Sequence, residues 1–142
     1  MLALFIVSGA GVVLLGVLDW DGFIVPSWVR VVIGLPLGLV GNVLALWAIV
    51  ALGIAPTSGG EGAFVFRGPY RYSRNPQYVG FILALVGWAL ITNSAFVLIV
   101  SLAGIIPLLL VPFTEESWLL ERHGTAYMEY KRTVPRFIAF KK

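Results

Sequence analysis

Cysteine is missing from all 142 residues, and charge is scarce. Without a thiol the chain forms no disulfide, builds no thiolate zinc site and offers no cysteine nucleophile. His123 is the single histidine, so no multi-histidine metal centre can form, and Glu121 nearby is too little to make one; no metal is expected. Asp, Glu, Lys and Arg supply 12% of the residues, against roughly 25% in an ordinary soluble domain. They are also segregated: across 31–65 the only charged side chain is Glu61, and across 76–114 there is none. A net charge of +3 without an aromatic and basic surface points to membrane topology and anionic lipid; no nucleic acid partner is expected.

What the chain has in abundance is apolar surface, with 59% of residues hydrophobic. One aqueous core cannot hide that fraction in so short a chain. The expected fold is all-α, a polytopic membrane protein of about four transmembrane helices followed by a cytoplasmic C-terminal amphipathic segment. No long polar linker divides it, so 1–142 reads as a single membrane domain. The expected spans are 2–18, 31–55, 76–91 and 95–113, with the tail at 114–142. The first has neither a basic start nor a small-residue cleavage site before Asp19, and it reads as a mature helix rather than a signal peptide.

Pro36 predicts a kink in the second span, since a mid-helix proline loses a hydrogen bond. Gly34 and Gly38, four residues apart, share a helix face and allow close backbone approach. Thr92-Asn93-Ser94 is a break short enough to be the tip of a helical hairpin, and Pro76 suits a first helical turn. Four spans put Arg67, Arg71 and Arg74 on the same side as Arg122, Lys131, Arg132, Arg136, Lys141 and Lys142. By the positive-inside rule, both termini are cytoplasmic.

Two polar blocks meet on that face. The first, Gly68-Pro69-Tyr70-Arg71-Tyr72-Ser73-Arg74-Asn75-Pro76-Gln77-Tyr78-Val79-Gly80, runs into a helix start, where free N–H groups favour anions and forked guanidinium groups pair with carboxylate or phosphate. Equally, arginines and tyrosines here serve as interfacial anchors. The second begins at Thr114-Glu115-Glu116, readable either as carboxylates facing a ligand or as a Thr114 cap with acids in a first turn. Leu119, His123, Tyr127 and Tyr130 can share a helix face beyond it, with Gly124 as a possible break.

These blocks, with Gly124-x-x-Tyr127-x-x-Tyr130-Lys131-x-x-Val134-Pro135 after them, resemble the isoprenylcysteine carboxyl methyltransferase and phospholipid methyltransferase family of integral membrane enzymes. The resemblance covers about half the chain, from 64 onward. It implies an S-adenosylmethionine cofactor held by Tyr70, Arg74, Asn75, Pro76, Tyr78, Gly80, Glu115 and Glu116, with Tyr127 and Tyr130 closing the site. Arg74 and Glu116 are the catalytic candidates, and the implied partner is a lipidic or hydrophobic small molecule at the membrane, alongside membrane lipid itself. Asn75 stands where the isoprenylcysteine enzymes typically carry His, which leaves hydrogen bonding without titration. Those enzymes also carry a basic residue shortly before the acidic pair, where this chain has Val111-Pro112-Phe113.

Sterol and steroid reductases resemble the same arrangement, including the Arg74-Asn75-Pro76-x-Tyr78-x-Gly80 segment and a C-terminal Tyr-x-x-Tyr. The alternative they imply is an NADPH-dependent membrane reductase. A small four-helix exporter is a third reading, but proton coupling needs an ionisable residue inside a span, and these spans offer none after Arg30.

Overall fold

A computed structural model describes residues 2–52 and 67–138, with side chains from Val7 onward in the first segment. The end of the expected second span at 53–55, the polar stretch 56–66 and the last four residues of the tail lie outside the described residues. Among the described residues the chain is all helical, with no strand.

Four helices alternate in direction: α1 at Leu2–Leu18, α2 at Ser27–Leu52, α3 at Pro76–Thr92 and α4 at Ala95–Thr133. Two of them, α2 and α4, are long and apolar enough to cross a membrane; α3 and the 12 residues Val7–Leu18 of α1 are shorter apolar helices. The first helix and the hairpin fall where the sequence puts them. Pro36 acts differently from the expected sharp kink. The turn before it, Arg30–Gly34, widens into a π-helix in which the Leu35 N–H bonds the Arg30 carbonyl, and α2 then continues through the proline. A widened turn absorbs the hydrogen bond that proline cannot donate.

The bundle is held where backbones touch. A Cβ at Gly80 would sit 2.6 Å from the Ala45 nitrogen and 2.7 Å from the Gly41 carbonyl oxygen, and Gly87 is similarly closed by Gly38. Gly34, Gly38, Gly41, Ala45 and Ala48 of α2 therefore form a seam of small residues against α3, as in membrane helix pairs generally. On the other side of α3, α1 seats Gly16 against Trp88 and Thr92, and the Trp88 indole donates to the Val12 carbonyl at 3.1 Å.

One end of the bundle is knitted by the α3–α4 tip. Asn93 adopts a left-handed conformation with φ 51°, and its side-chain amide donates to Asp21 and to the Phe23 carbonyl, both at 2.8 Å. Its side-chain oxygen accepts from the Val25 N–H at 2.9 Å. Ser94 caps α4 by accepting from the Val97 N–H at 3.1 Å, and donates to Asp19. Arg30 closes the cluster, donating to Asp21 at 2.6 Å and to the Ile91 carbonyl at 2.9 Å. Every charge in this end is thus paired across helices.

At the other end α4 does not stop at the expected boundary near 113. It runs through Thr114, whose hydroxyl donates to the Val111 carbonyl at 2.8 Å, so Thr114 is not a helix cap. The stretch 95–123, helical up to Gly124, measures about 44 Å at 1.5 Å per residue, more than the ~30 Å bilayer core. Gly124, with φ 51° and ψ −124°, interrupts the helical geometry, as its sequence position suggests, and the chain beyond it returns to the start of α3.

Candidate functional site

Proline placement builds the site's floor. Gly68, with φ 58°, packs against Trp47 and Ala51 of α2 and opens a 3-10 turn over Gly68–Arg71, with Pro69 second in the turn. Asn75 then precedes Pro76, the first residue of α3. The backbone between the two prolines is therefore pinned near the α3 start. The C-terminal segment locks onto it: the Arg74 N–H donates to the Pro135 carbonyl at 2.9 Å, and the Asn75 side-chain amide donates to the Arg136 carbonyl at 2.9 Å. Ser73 donates to that same carbonyl at 3.3 Å and accepts from the Asn75 N–H at 3.1 Å.

Glu116 is the electrostatic centre. Arg136 binds it through both nitrogens of its fork, Nε to Oε1 at 2.6 Å and Nη2 to Oε2 at 2.9 Å. Arg74 Nη1 lies 2.9 Å from Oε1 and Lys131 Nζ 3.4 Å from Oε2. Burial pushes the Glu116 carboxyl up, but Arg136, Arg74 and Lys131 together hold it below the usual carboxylate range. The guanidinium of Arg136 also stacks on Phe113, 3.8 Å from the ring centre.

Glu115 lives in different surroundings. It accepts from the Tyr78 hydroxyl at 2.8 Å. Burial raises its carboxyl above the usual range, and the Tyr78 bond only partly opposes that. Tyr70 is buried nearby, its phenol pushed up by burial and then by the Glu115 charge. The Tyr130 hydroxyl donates to the Tyr70 carbonyl at 2.7 Å, and Tyr127 packs beside Tyr130 with ring centres 6.2 Å apart. Arg74 reaches Tyr127 as well, yet its Nε is buried without a hydrogen-bond partner, and its Nη1 meets Glu116 by charge without a directed hydrogen bond.

All ten sequence candidates thus fall at one end of the bundle, with distinct surroundings. Tyr70, Arg74, Tyr78, Glu115, Tyr127 and Tyr130 form one cluster of aromatic and charged groups. Asn75 and Glu116 bond to the C-terminal segment, while Pro76 and Gly80 shape α3, Gly80 by its contact with α2. Arg71 and Tyr72 are exposed, as interfacial anchors would be. Sequence reasoning missed Arg136, Lys131 and Ser73. One signal was available for Arg136: an adjacent carboxylate pair beside an apolar run needs cations, and Val134-Pro135-Arg136 follows the helix directly.

Apolar helices that expose their outer surfaces, two of them long enough to cross a membrane, are the mark of a membrane protein. Residues 29–126, well over half of the chain, match the phospholipid methyltransferase family, and the chain belongs to that family. It is also 30% identical over 115 residues to steroid 5-alpha-reductase DET2 of Solanum lycopersicum, a match taking in 78% of this chain and 43% of that protein. The chain therefore spans less than half the length of this curated relative. No solved structure matches it.

Proposed function

We propose that this chain is an S-adenosylmethionine-dependent methyltransferase with four membrane spans and cytoplasmic termini, acting at the membrane interface on a lipidic or hydrophobic acceptor. The observation that carries the reading is the Tyr78–Glu115 bond of 2.8 Å. It ties the two motif blocks together at one end of the bundle, and both blocks lie inside the stretch matched by the family.

The residues present fit such a cofactor. Arg74 keeps a buried Nε without a partner, a donor suited to a carboxylate. Glu115 supplies an acceptor for the amino acid's ammonium group or for ribose hydroxyls. Faces of Tyr70, Tyr78, Tyr127 and Tyr130 attract a sulfonium. Asn75, Pro76 and Gly80 fix the α3 start from which Arg74 and Tyr78 project. Glu116 serves as a positioning residue, holding Arg74 and the C-terminal segment together, while Arg74 touches the cofactor.

When bound, the cofactor supplies an electrophilic methyl group, and the protein contributes alignment and exclusion of water. A carboxylate acceptor arrives ionised at neutral pH, whereas an amine must first lose a proton. An acceptor whose apolar portion lies in the bilayer fits beside this end. Methyl transfer from radiolabelled S-adenosylmethionine into membrane lipid extracts tests the reading. A labelled lipid that disappears with Arg74→Ala supports it, and no labelled product in any extract overturns it.

The resemblance to a steroid 5-alpha-reductase favours a second reading, an NADPH-dependent reductase using the same end of the bundle. Titration with S-adenosylhomocysteine and with NADPH separates the two.

A further inference from the structure

α2 carries a second seam that the described residues leave largely uncovered. The small residues Gly34, Gly38, Gly41, Ala45 and Ala48 face α3. About a quarter-turn away, Leu35, Leu39, Asn42, Leu46 and Ile49 follow one another at spacings of four, three, four and three. That alternation is the a/d pattern of a paired helix. Leu39 and Leu46 are 59% and 61% exposed, Leu35 and Asn42 are exposed as well, and Ile49 is half-covered.

Asn42 gives the seam its chemistry. Its position is about 4 Å from the centre of α2 at 1.5 Å per residue, the depth at which lipid offers no hydrogen bond. One of its amide hydrogens goes to the Gly38 carbonyl at 2.8 Å. The second hydrogen and the side-chain oxygen have no partner among the described residues. An amide is self-complementary, donor and acceptor at once, so the group that satisfies it best at that depth is another amide. By this spacing Asn42 stands at a d position, inside the seam, where a parallel pair brings it opposite its own copy.

We propose that two copies of this chain pair through α2, with Leu35, Leu39, Leu46 and Ile49 interdigitating and the two Asn42 amides bonding across the two-fold axis. This rests on α2 crossing the bilayer. Copies inserted in the same orientation meet with α2 parallel, which brings like residues together, and the α3 seam, about a quarter-turn round the helix, stays packed on α3. Acyl chains can cover the leucines but cannot satisfy the amide.

The absence of cysteine makes the test clean. Single variants Leu39→Cys, Leu46→Cys and Val40→Cys, the last on the opposite side of α2, are expressed in membranes and oxidised. Disulfide dimers are expected at the first two positions and not at the third. Adding Asn42→Leu to Leu46→Cys should weaken association roughly three- to twentyfold, the range of one interhelical hydrogen bond. Equal cross-linking at Val40→Cys, absence of dimers at both seam positions, or an undiminished yield with Asn42→Leu overturns the pairing. In parallel, each cysteine is exposed to a water-soluble maleimide in intact bilayers. Protection without cross-linking overturns the dimer alone, whereas labelling at Leu46→Cys overturns the spanning of α2, and the dimer with it.

Discussion

Two adjacent glutamates show how far neighbouring residues can diverge. Glu116 meets Arg74, Arg136 and Lys131 and is held below the ordinary carboxylate range, while Glu115 has only a tyrosine hydroxyl and is raised by burial. The signs of their pH effects are opposite. A depressed folded pKa means that the stability from Glu116 is present above the ordinary glutamate pKa of 4.5 and is lost as pH falls through the lower folded value. Glu115, raised, favours the fold while protonated, and that contribution is lost as pH rises through its folded pKa. Pairing of Glu115 with a cofactor ammonium requires its ionised form. Affinity for S-adenosylhomocysteine should therefore fall on acidification at a pH above the ordinary carboxylate range, and Glu115→Gln should flatten that profile in a calorimetric pH series. An unchanged profile in Glu115→Gln would count against this role.

Glu116→Gln carries a separate expectation. Removing the charge leaves Arg74, nearly as buried as Glu116 itself, facing a neutral amide. The loss should be about 3 kcal/mol of unfolding free energy, as when one member of a buried pair is removed. Arg136→Ala should cost less, because Arg74 and Lys131 remain. Denaturant titration in detergent checks both. The identity of the clustered residues was legible from the chain, because arginine, tyrosine and glutamate stand out in an apolar sequence. Their division of labour was not. Which glutamate meets Arg136 depends on where the chain returns after Gly124, and spacing alone does not encode a three-dimensional return.

At the scale of elements, the hairpin was readable because Thr92-Asn93-Ser94 interrupts an unbroken apolar run, and the start of α3 because proline fits a first turn. The continuation of α4 through Thr114 was not. A threonine before two acids looks like a cap, yet its hydroxyl bonds backward within the helix, and Pro112 leaves the helix unbroken. Gly80 illustrates a second ambiguity. Within the motif it reads as a cofactor residue, but in the fold its missing Cβ makes room for the backbone of α2. Gly80→Ala should therefore separate α2 from α3 and lower the unfolding temperature. Gly104→Ala, whose new Cβ meets only Leu85 at 3.7 Å, should leave it within error. Thermal unfolding in detergent compares the two, and equal stability would remove the packing role of Gly80.

At the scale of the molecule, alternating helices carry two polar ends of different kinds. The Asp19–Asp21–Arg30–Asn93 end is internally paired, whereas the Arg74–Glu116–Arg136 end also leaves a buried donor on Arg74 unsatisfied. If the bundle spans the bilayer, these ends lie on opposite faces. Ile24→Cys should react with an impermeant maleimide in intact cells, and Thr125→Cys only after the membrane is opened. That orientation is proposed from charge distribution, because loop arginines and tail lysines fall on one side under four spans. The pairing of the opposite end was hidden from sequence, since it links Asp21 to Asn93 across 72 positions.

We propose that the clustered end of this bundle binds S-adenosylhomocysteine, the product left by the methyl donor. Calorimetric titration of the purified protein in detergent with S-adenosylhomocysteine, and in parallel with NADPH, tests it most directly. Saturable binding of S-adenosylhomocysteine that is lost in Arg74→Ala, with no heat from NADPH, is the result expected; saturable binding of NADPH alone would contradict it.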